Sequence, residues 1–174
     1  MARLALMTFG ITREPLGSRV MQGFLDALAD AYREAENSEG FIARASGRDY
    51  ERSPFGQTFG AFGEFAAPRF YNRGKSTRDN SVGQTLSLWT GICAAHRFAY
   101  GGLHKNALAQ RLKWFLKPEW PTYVMWWVAD EHVPNWQEAS LRLEYIHDHG
   151  ATLHAFNFGT AFNAEGQRVF VAGG

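Results

Sequence analysis

Six consecutive bulky residues, Tyr123-Val124-Met125-Trp126-Trp127-Val128, constrain this chain more than any other feature. Pro118 and Pro121 stand before them and Pro134 soon after, so the run is too short for a helix and reads as a strand over 122–129. Successive strand residues point to opposite faces of a sheet, so one of Trp126 and Trp127 faces helices and the other faces the far side. A sheet with a tryptophan on each face needs cover on both.

The remaining pattern supplies the partners for that strand. Leu4–Phe9 reads as a first strand ended by Gly10. Ser18 then caps a helix in which Val20, Met21, Phe24, Leu25, Leu28 and Tyr32 recur at spacings of three and four, with Asn37-Ser38 and Gly40 as the stop. Phe41–Ala45 reads as a second strand and Thr85–Trp89 as a third. A helical stretch from Ile92 to about Lys117 breaks or bends at Gly101-Gly102. After the bulky strand, Pro134 or Asn135 opens another helix, with Trp136, Ala139, Leu141, Leu143 and Ile146 expected inside. The tail, 154–162 and 168–171, reads as a hairpin. The core order is strand, helix, strand, strand, helix, strand. That is a ferredoxin-like α+β arrangement, one antiparallel sheet with helices on one face. The uncovered face, rich in Trp and Phe, is expected to pair with a second copy of the chain and close a dimeric α/β barrel.

At 174 residues the chain is about one domain and folds with roughly 70% of its extended surface buried. One interval stands apart. From 46 to 84 Gly, Pro, Ser, Arg and Asn dominate, yet Phe55, Phe59, Phe62, Phe65 and Phe70 are threaded through them. Connections of that length are functional or disordered, and the phenylalanines argue for order. Two readings stay open, a satellite core beneath a long loop and a lid over a pocket.

Charge excludes several partners. Eighteen Lys and Arg against 17 Asp and Glu leave +1, with no basic stripe of the kind nucleic-acid binders show. A single cysteine, Cys93, forms no internal disulfide and is expected to be a small buried hydrophobe. No apolar run approaches the ~20 residues that span a bilayer, and the apolar start is too short for a signal segment. A cytoplasmic protein with neither membrane nor nucleic-acid partner is the expectation.

From Thr85 onward the residues resemble a known family. Thr85-Leu86-Ser87-Leu88-Trp89 is followed by Phe98-Ala99-Tyr100 with His104, then Arg111-Leu112-Lys113-Trp114-Phe115. The bulky strand follows, then His132, Pro134, Glu138-Ala139, Arg142-Leu143-Glu144, Asp148-His149-Gly150 and Ala155-Phe156-Asn157-Phe158. Together they resemble the family of domain of unknown function 3291, whose members are similar to the dimeric α/β barrels of antibiotic-biosynthesis monooxygenases. The resemblance implies that barrel and a homodimer, and no established reaction. Ala151 and Leu153 stand where members carry Pro, and Asn135 where they usually carry Thr.

Among the chemistry-bearing residues, His104 stands out. It follows a glycine break and lies four residues after Tyr100, so both share one face if the helix continues through the break. An imidazole near neutral pH moves protons or ligates a metal. The expected roles are His104 as acid or base, with Tyr100 and Arg111 as polar helpers. Trp89, Tyr123, Trp126, Trp127, Phe59 and Phe62 are the expected lining for an apolar or aromatic small molecule. A structural hydrogen bond at the helix break is the plainer role for His104. His132 beside Asp130 and Glu131 has a carboxylate within reach to fix its tautomer, but reads first as a turn residue. Arg97 and Arg111 suit a substrate carboxylate, though helix arginines more often pair with a nearby Glu.

The functional expectation is a cofactor-independent oxygenase, isomerase or cyclase. The alternatives are a haem protein with His104 as axial ligand, and a non-catalytic binding protein. No other cofactor and no metal site is expected: Gly60 and Gly63 lack a phosphate-loop context, and the histidines are scattered.

Overall fold

A computed structural model describes residues 2–45, 62–73 and 81–171. Strand β1 (Arg3–Ile11) leads through helix α1 (Arg19–Glu36) to β2 (Phe41–Arg44). A helical turn, α2 (Phe70–Arg73), precedes β3 (Val82–Trp89), α3 (Ile92–Tyr100) and α4 (Gly102–Trp114). Strand β4 (Tyr123–Val128) is followed by α5 (Trp136–His149) and a hairpin of β5 (Ala161–Phe162) and β6 (Arg168–Val169). The protein is α+β, and its four long strands form one antiparallel sheet in the order β2-β3-β1-β4.

Local chemistry sets the ends of these elements. Ser18 Oγ accepts the Met21 amide at the start of α1, and Asn135 Oδ1 accepts the Glu138 amide at the start of α5. Each satisfies a donor the helix cannot, typically worth about 1 kcal/mol. The stretch expected to run to about Lys117 stops at Trp114, whose carbonyl accepts from the Arg13 amide, and Phe115 adopts an extended backbone. Phe115 then lies across Gly10 and Gly83, which face each other on β1 and β3. A Cβ at either glycine would stand 2.6 or 2.7 Å from the phenyl ring.

Alternation along β1 sorts the core into two layers. Ala5, Met7, Phe9 and Ile11 look one way, with Val124, Trp126 and Val128. They meet Trp136, Ala139, Leu143 and Ile146 of α5, and Phe62 and Phe70. Leu4 and Leu6 look the other way with Met125 and Trp89, toward Ala35 of α1 and Ile92, Ala94 and Ala95 of α3.

Helices therefore lie on both faces rather than one. The face expected to await a second copy is filled by α5 and by residues 62–71 of the same chain. Trp126 is fully buried without any partner. The Trp-rich surface that would have driven sheet-to-sheet pairing is not in water.

Residues 62–71 form a strap over this face. The Phe62 carbonyl accepts the Trp136 amide at 2.9 Å. The Ala66 carbonyl accepts from Gln84 Nε2 on the sheet and Ser140 Oγ on the helix, both at 2.9 Å. Arg69 reaches Glu144 and Asp148 of α5. Phe62, Phe65 and Phe70 therefore serve as core on this face. Phe55 and Phe59 lie outside the described residues.

Two expectations fail on burial. Leu141, expected inside, is 54% exposed, because the helical period turns it away from Ala139 and Leu143, and Ser140 takes the inward position and bonds to the strap. Cys93 is exposed rather than buried, because the inward face of α3 is carried by Ile92, Ala94, Ala95 and Ala99.

Candidate functional site

The two layers differ in how tightly they close. On the α5 side Met7, Phe9, Leu86, Val124 and Trp126 are each at most 4% exposed. On the other side, residues at equivalent depth are half-buried: Thr8, Thr85 and Tyr123 from the sheet, Phe24 and Leu28 from α1, Phe98 and His104 from α3 and α4. Thr8 is decisive. It sits on a central strand, paired to Thr85 on one side and Tyr123 on the other. Its side chain lies on the helix-covered side of the sheet and is only partly buried, so the described helices close over it less tightly than α5 and the strap close over Met7 and Phe9.

Thr85, Thr8 and Tyr123 set a row of hydroxyls side by side on the sheet. Thr8 Oγ1 and Thr85 Oγ1 stand 2.6 Å apart, so one donates to the other and one proton of the pair stays free. Tyr123 Oη accepts the Phe158 amide at 3.2 Å, and the Tyr100 side chain is its neighbour. Burial, reinforced by that neighbour, pushes the Tyr123 phenol up to about 12. It is a neutral donor and not a base near neutral pH. Tyr100 itself is 46% exposed, packed against His96 and Phe158 at ring distances of 4.7 and 5.6 Å.

His104 lies in the first turn of α4. Its Nδ1 is 2.7 Å from the Ala99 carbonyl oxygen. A carbonyl only accepts, so Nδ1 carries the proton, and in the neutral ring Nε2 holds the lone pair. Nε2 has no hydrogen-bond partner among the described residues. Burial lowers the His104 pKa below its ordinary value, partly opposed by the Ala99 bond and the Glu34 charge. The imidazole is therefore a neutral, tautomerically fixed base. The ring of Phe98 packs on it at 4.7 Å, and Phe98 in turn stacks on Trp89 at 5.0 Å.

The expected site residues divide between the two faces. Tyr100, His104, Tyr123, Trp89 and Trp127 belong to the helix side that carries the hydroxyl row. Trp126 and Phe62 belong to the sealed side and do not join them. Trp89 is fully buried, its indole N–H donating to Ser87 Oγ, so it backs the site through Phe98 rather than lining it. Trp127 Nε1 donates to the Phe162 carbonyl at 2.7 Å, tying β4 to the terminal hairpin. Arg111 is exposed near the end of α4, and its guanidinium donates to the Leu108 carbonyl of its own helix. Arg97 pairs with Glu39 at 3.2 Å.

Sequence reading passed over Thr8, Thr85 and Glu34. Only the alternation of Thr8 with Met7 and Phe9 hinted at a polar floor.

A second polar cluster marks the sealed side. Glu138 of α5 accepts from the buried Trp126 indole at 2.9 Å, from His132 Nε2 at 2.7 Å and from Arg142 at 3.4 Å. The carboxylate that reaches His132 is thus Glu138 and not Asp130 or Glu131. Arg142 Nη1 also donates to His154 Nδ1 at 2.9 Å, and burial together with that cation keeps the His154 pKa low. The cluster ties a strand, a helix and two loops together. No group of three or more His, Cys, Asp or Glu side chains among the described residues is arranged to hold a metal ion. Nor is any described helix long and apolar enough to cross a membrane.

The fold is an α+β domain with a partly buried row of hydroxyls on the sheet beneath α1, α3 and α4. The chain belongs to the family described as domain of unknown function, DUF3291, whose model matches residues 3–171. Comparison with curated proteins and with solved structures gave no match.

Proposed function

We propose that this protein binds an apolar or aromatic small molecule between its sheet and the α1, α3 and α4 layer, and acts on it with His104 as general base. The observation that carries the reading is the free Nε2 of a neutral histidine on the helix-covered side of the sheet, the side that also bears the Thr8, Thr85 and Tyr123 hydroxyls. The Thr8–Thr85 pair leaves one O–H donor, and Tyr123 Oη, which accepts the Phe158 amide, keeps its own proton to donate. Such donors suit a carbonyl or an enolate oxygen, while Nε2 suits the proton that must leave a neighbouring carbon or hydroxyl. The apolar walls, Phe24, Leu28 and Phe98, suit a hydrocarbon or aromatic body. Proton abstraction next to a carbonyl is the step that cofactor-independent oxygenases, isomerases and cyclases share.

The strand order β2-β3-β1-β4, with all pairs antiparallel, supports reading the framework as ferredoxin-like. A sheet-to-sheet dimer would require α5 and the strap to leave the face they fill. The site proposed here needs one chain only.

Exchange of the α-hydrogens of β-tetralone in heavy water, followed by proton NMR, tests the chemistry. The protein should accelerate exchange over buffer, and His104→Gln should remove about 10²–10⁴-fold of the rate with the fold intact. Because burial holds the His104 pKa below its usual value, the rate should stay level as pH falls to about 6.5 and drop only below it. Exchange no faster than buffer, or full exchange by His104→Gln, would overturn the reading. A visible Soret band in the purified protein would instead assign Nε2 to haem iron.

A further inference from the structure

We infer that Glu34 is the positioning residue of this site: reaching across from α1, its carboxylate clamps the first turn of α4 and holds the His104 ring in its working orientation. The inference rests on the reading of His104 as the base. It starts from a deficiency in α4. The residue that caps this helix is Gly101, which offers no side chain to the free amides of the first turn. Glu34 supplies what is missing from 70 residues earlier in the chain. Its Oε1 accepts the Leu103 amide at 3.1 Å and its Oε2 accepts the His104 amide at 3.0 Å. A carboxylate at a helix N-terminus also meets the positive end of the helix dipole.

The backbone is shaped to admit this carboxylate. Gly102 has φ +42°, a conformation that L side chains rarely adopt, and a Cβ there would stand 1.6 Å from Glu34 Oε1. A Cβ on Gly101 would stand 2.4 Å from the Arg97 carbonyl. Both glycines of the helix break are thus spent on bringing α4 against α3 and against Glu34.

The consequence for His104 is a grip at three points. Its backbone amide is held by Glu34, its Nδ1 by the Ala99 carbonyl and its ring face by Phe98. Nε2 is the one polar atom of the residue's ring left to a ligand. Glu34 is also the charged group whose field reaches the imidazole, and it counters part of the burial that disfavours protonation. One carboxylate both orients the base and sustains its basicity.

Nitrogen-15 histidine NMR of the full chain tests this without any substrate. Wild type should show His104 as the Nδ1–H tautomer, titrating below its ordinary value. Glu34→Gln keeps one acceptor oxygen and removes the charge. It should leave the circular dichroism spectrum unchanged and move the His104 midpoint lower still. Gly102→Ala should expel the carboxylate and give a mixture of tautomers. Glu34→Asp, charged but too short to serve both amides, should restore part of the midpoint without restoring the single tautomer. A Glu34→Gln protein with wild-type midpoint and tautomer overturns the inference, whether or not its melting temperature falls. These signals are independent of tetralone exchange, so a failure of the catalytic reading leaves them standing and the reverse also holds.

Discussion

The two faces of the sheet use the same strands and reach opposite ends. Against α5 and the strap, Ala5, Met7, Phe9 and Ile11 of β1 are apolar and sealed. Against α1, α3 and α4, the same strand presents Leu4 and Leu6, then Thr8, then Gly10 beneath Phe115. One face ends as dense core and the other carries a row of partly buried hydroxyls. Close packing is the default for a protein interior. A row of half-buried polar groups at the centre of a sheet is the departure that points to function.

The largest expected effect breaks the contrast outright. Trp126→Ala on the sealed face removes a fully buried indole and one of the three side-chain donors to Glu138, at a cost of about 3–5 kcal/mol. Thr8→Val on the less tightly closed face loses one hydroxyl bond, about 0.5–1.5 kcal/mol. Urea denaturation of the two variants should separate them by at least twofold. Equal losses would mean that both faces are ordinary core.

A smaller effect sharpens what seals the α5 side. The hydrogen bond from Arg69, aided by His147, holds the Asp148 carboxyl down at about 2, from a usual 3.8. A depressed carboxylate contributes stability that is present above its unfolded pKa and lost as pH falls through the folded one. The strap should therefore loosen between about pH 4 and pH 2 and not earlier. Amide exchange at Ala66 and Arg69 reports it, and Asp148→Asn should abolish the acid step. Because these groups are solvent-facing, global stability should move little.

The smallest effect is at Leu141, on the outer side of α5. Leu141→Gln should change stability by less than about 0.5 kcal/mol, since the side chain is already in water. A loss like that of Leu143→Ala, a fully buried neighbour expected to cost about 2–5 kcal/mol, would put Leu141 in an interface.

Much of the fold was legible from local pattern. Ser18 and Asn135 cap the helices their positions announce, Gly101-Gly102 breaks the long helical stretch, and the two tryptophans of β4 point to opposite faces. These follow from propensity, capping chemistry and the two-residue period, which act within a few residues. His104 was legible as a residue set apart by that break.

What local pattern could not supply was the layer to which each element belongs. Helix α5 reads as amphipathic wherever it lies, but its period sets Leu141 opposite Ala139 and Leu143, so its placement inside followed its apolar character and not the spacing; Ser140 holds the inward position, bonded to the strap carbonyl at Ala66. Nor did local pattern supply the cover on the second face, Trp89 retreating into core, or Glu34 meeting the His104 amide across 70 residues. Sequence determined which residues form strands and helices and that a tryptophan would stand on each face, because those depend on neighbours in the chain. Only the tertiary structure decided which face would close tightly and which would stay partly exposed, because that depends on side chains brought together from distant elements and on whether their volumes fill the space between them.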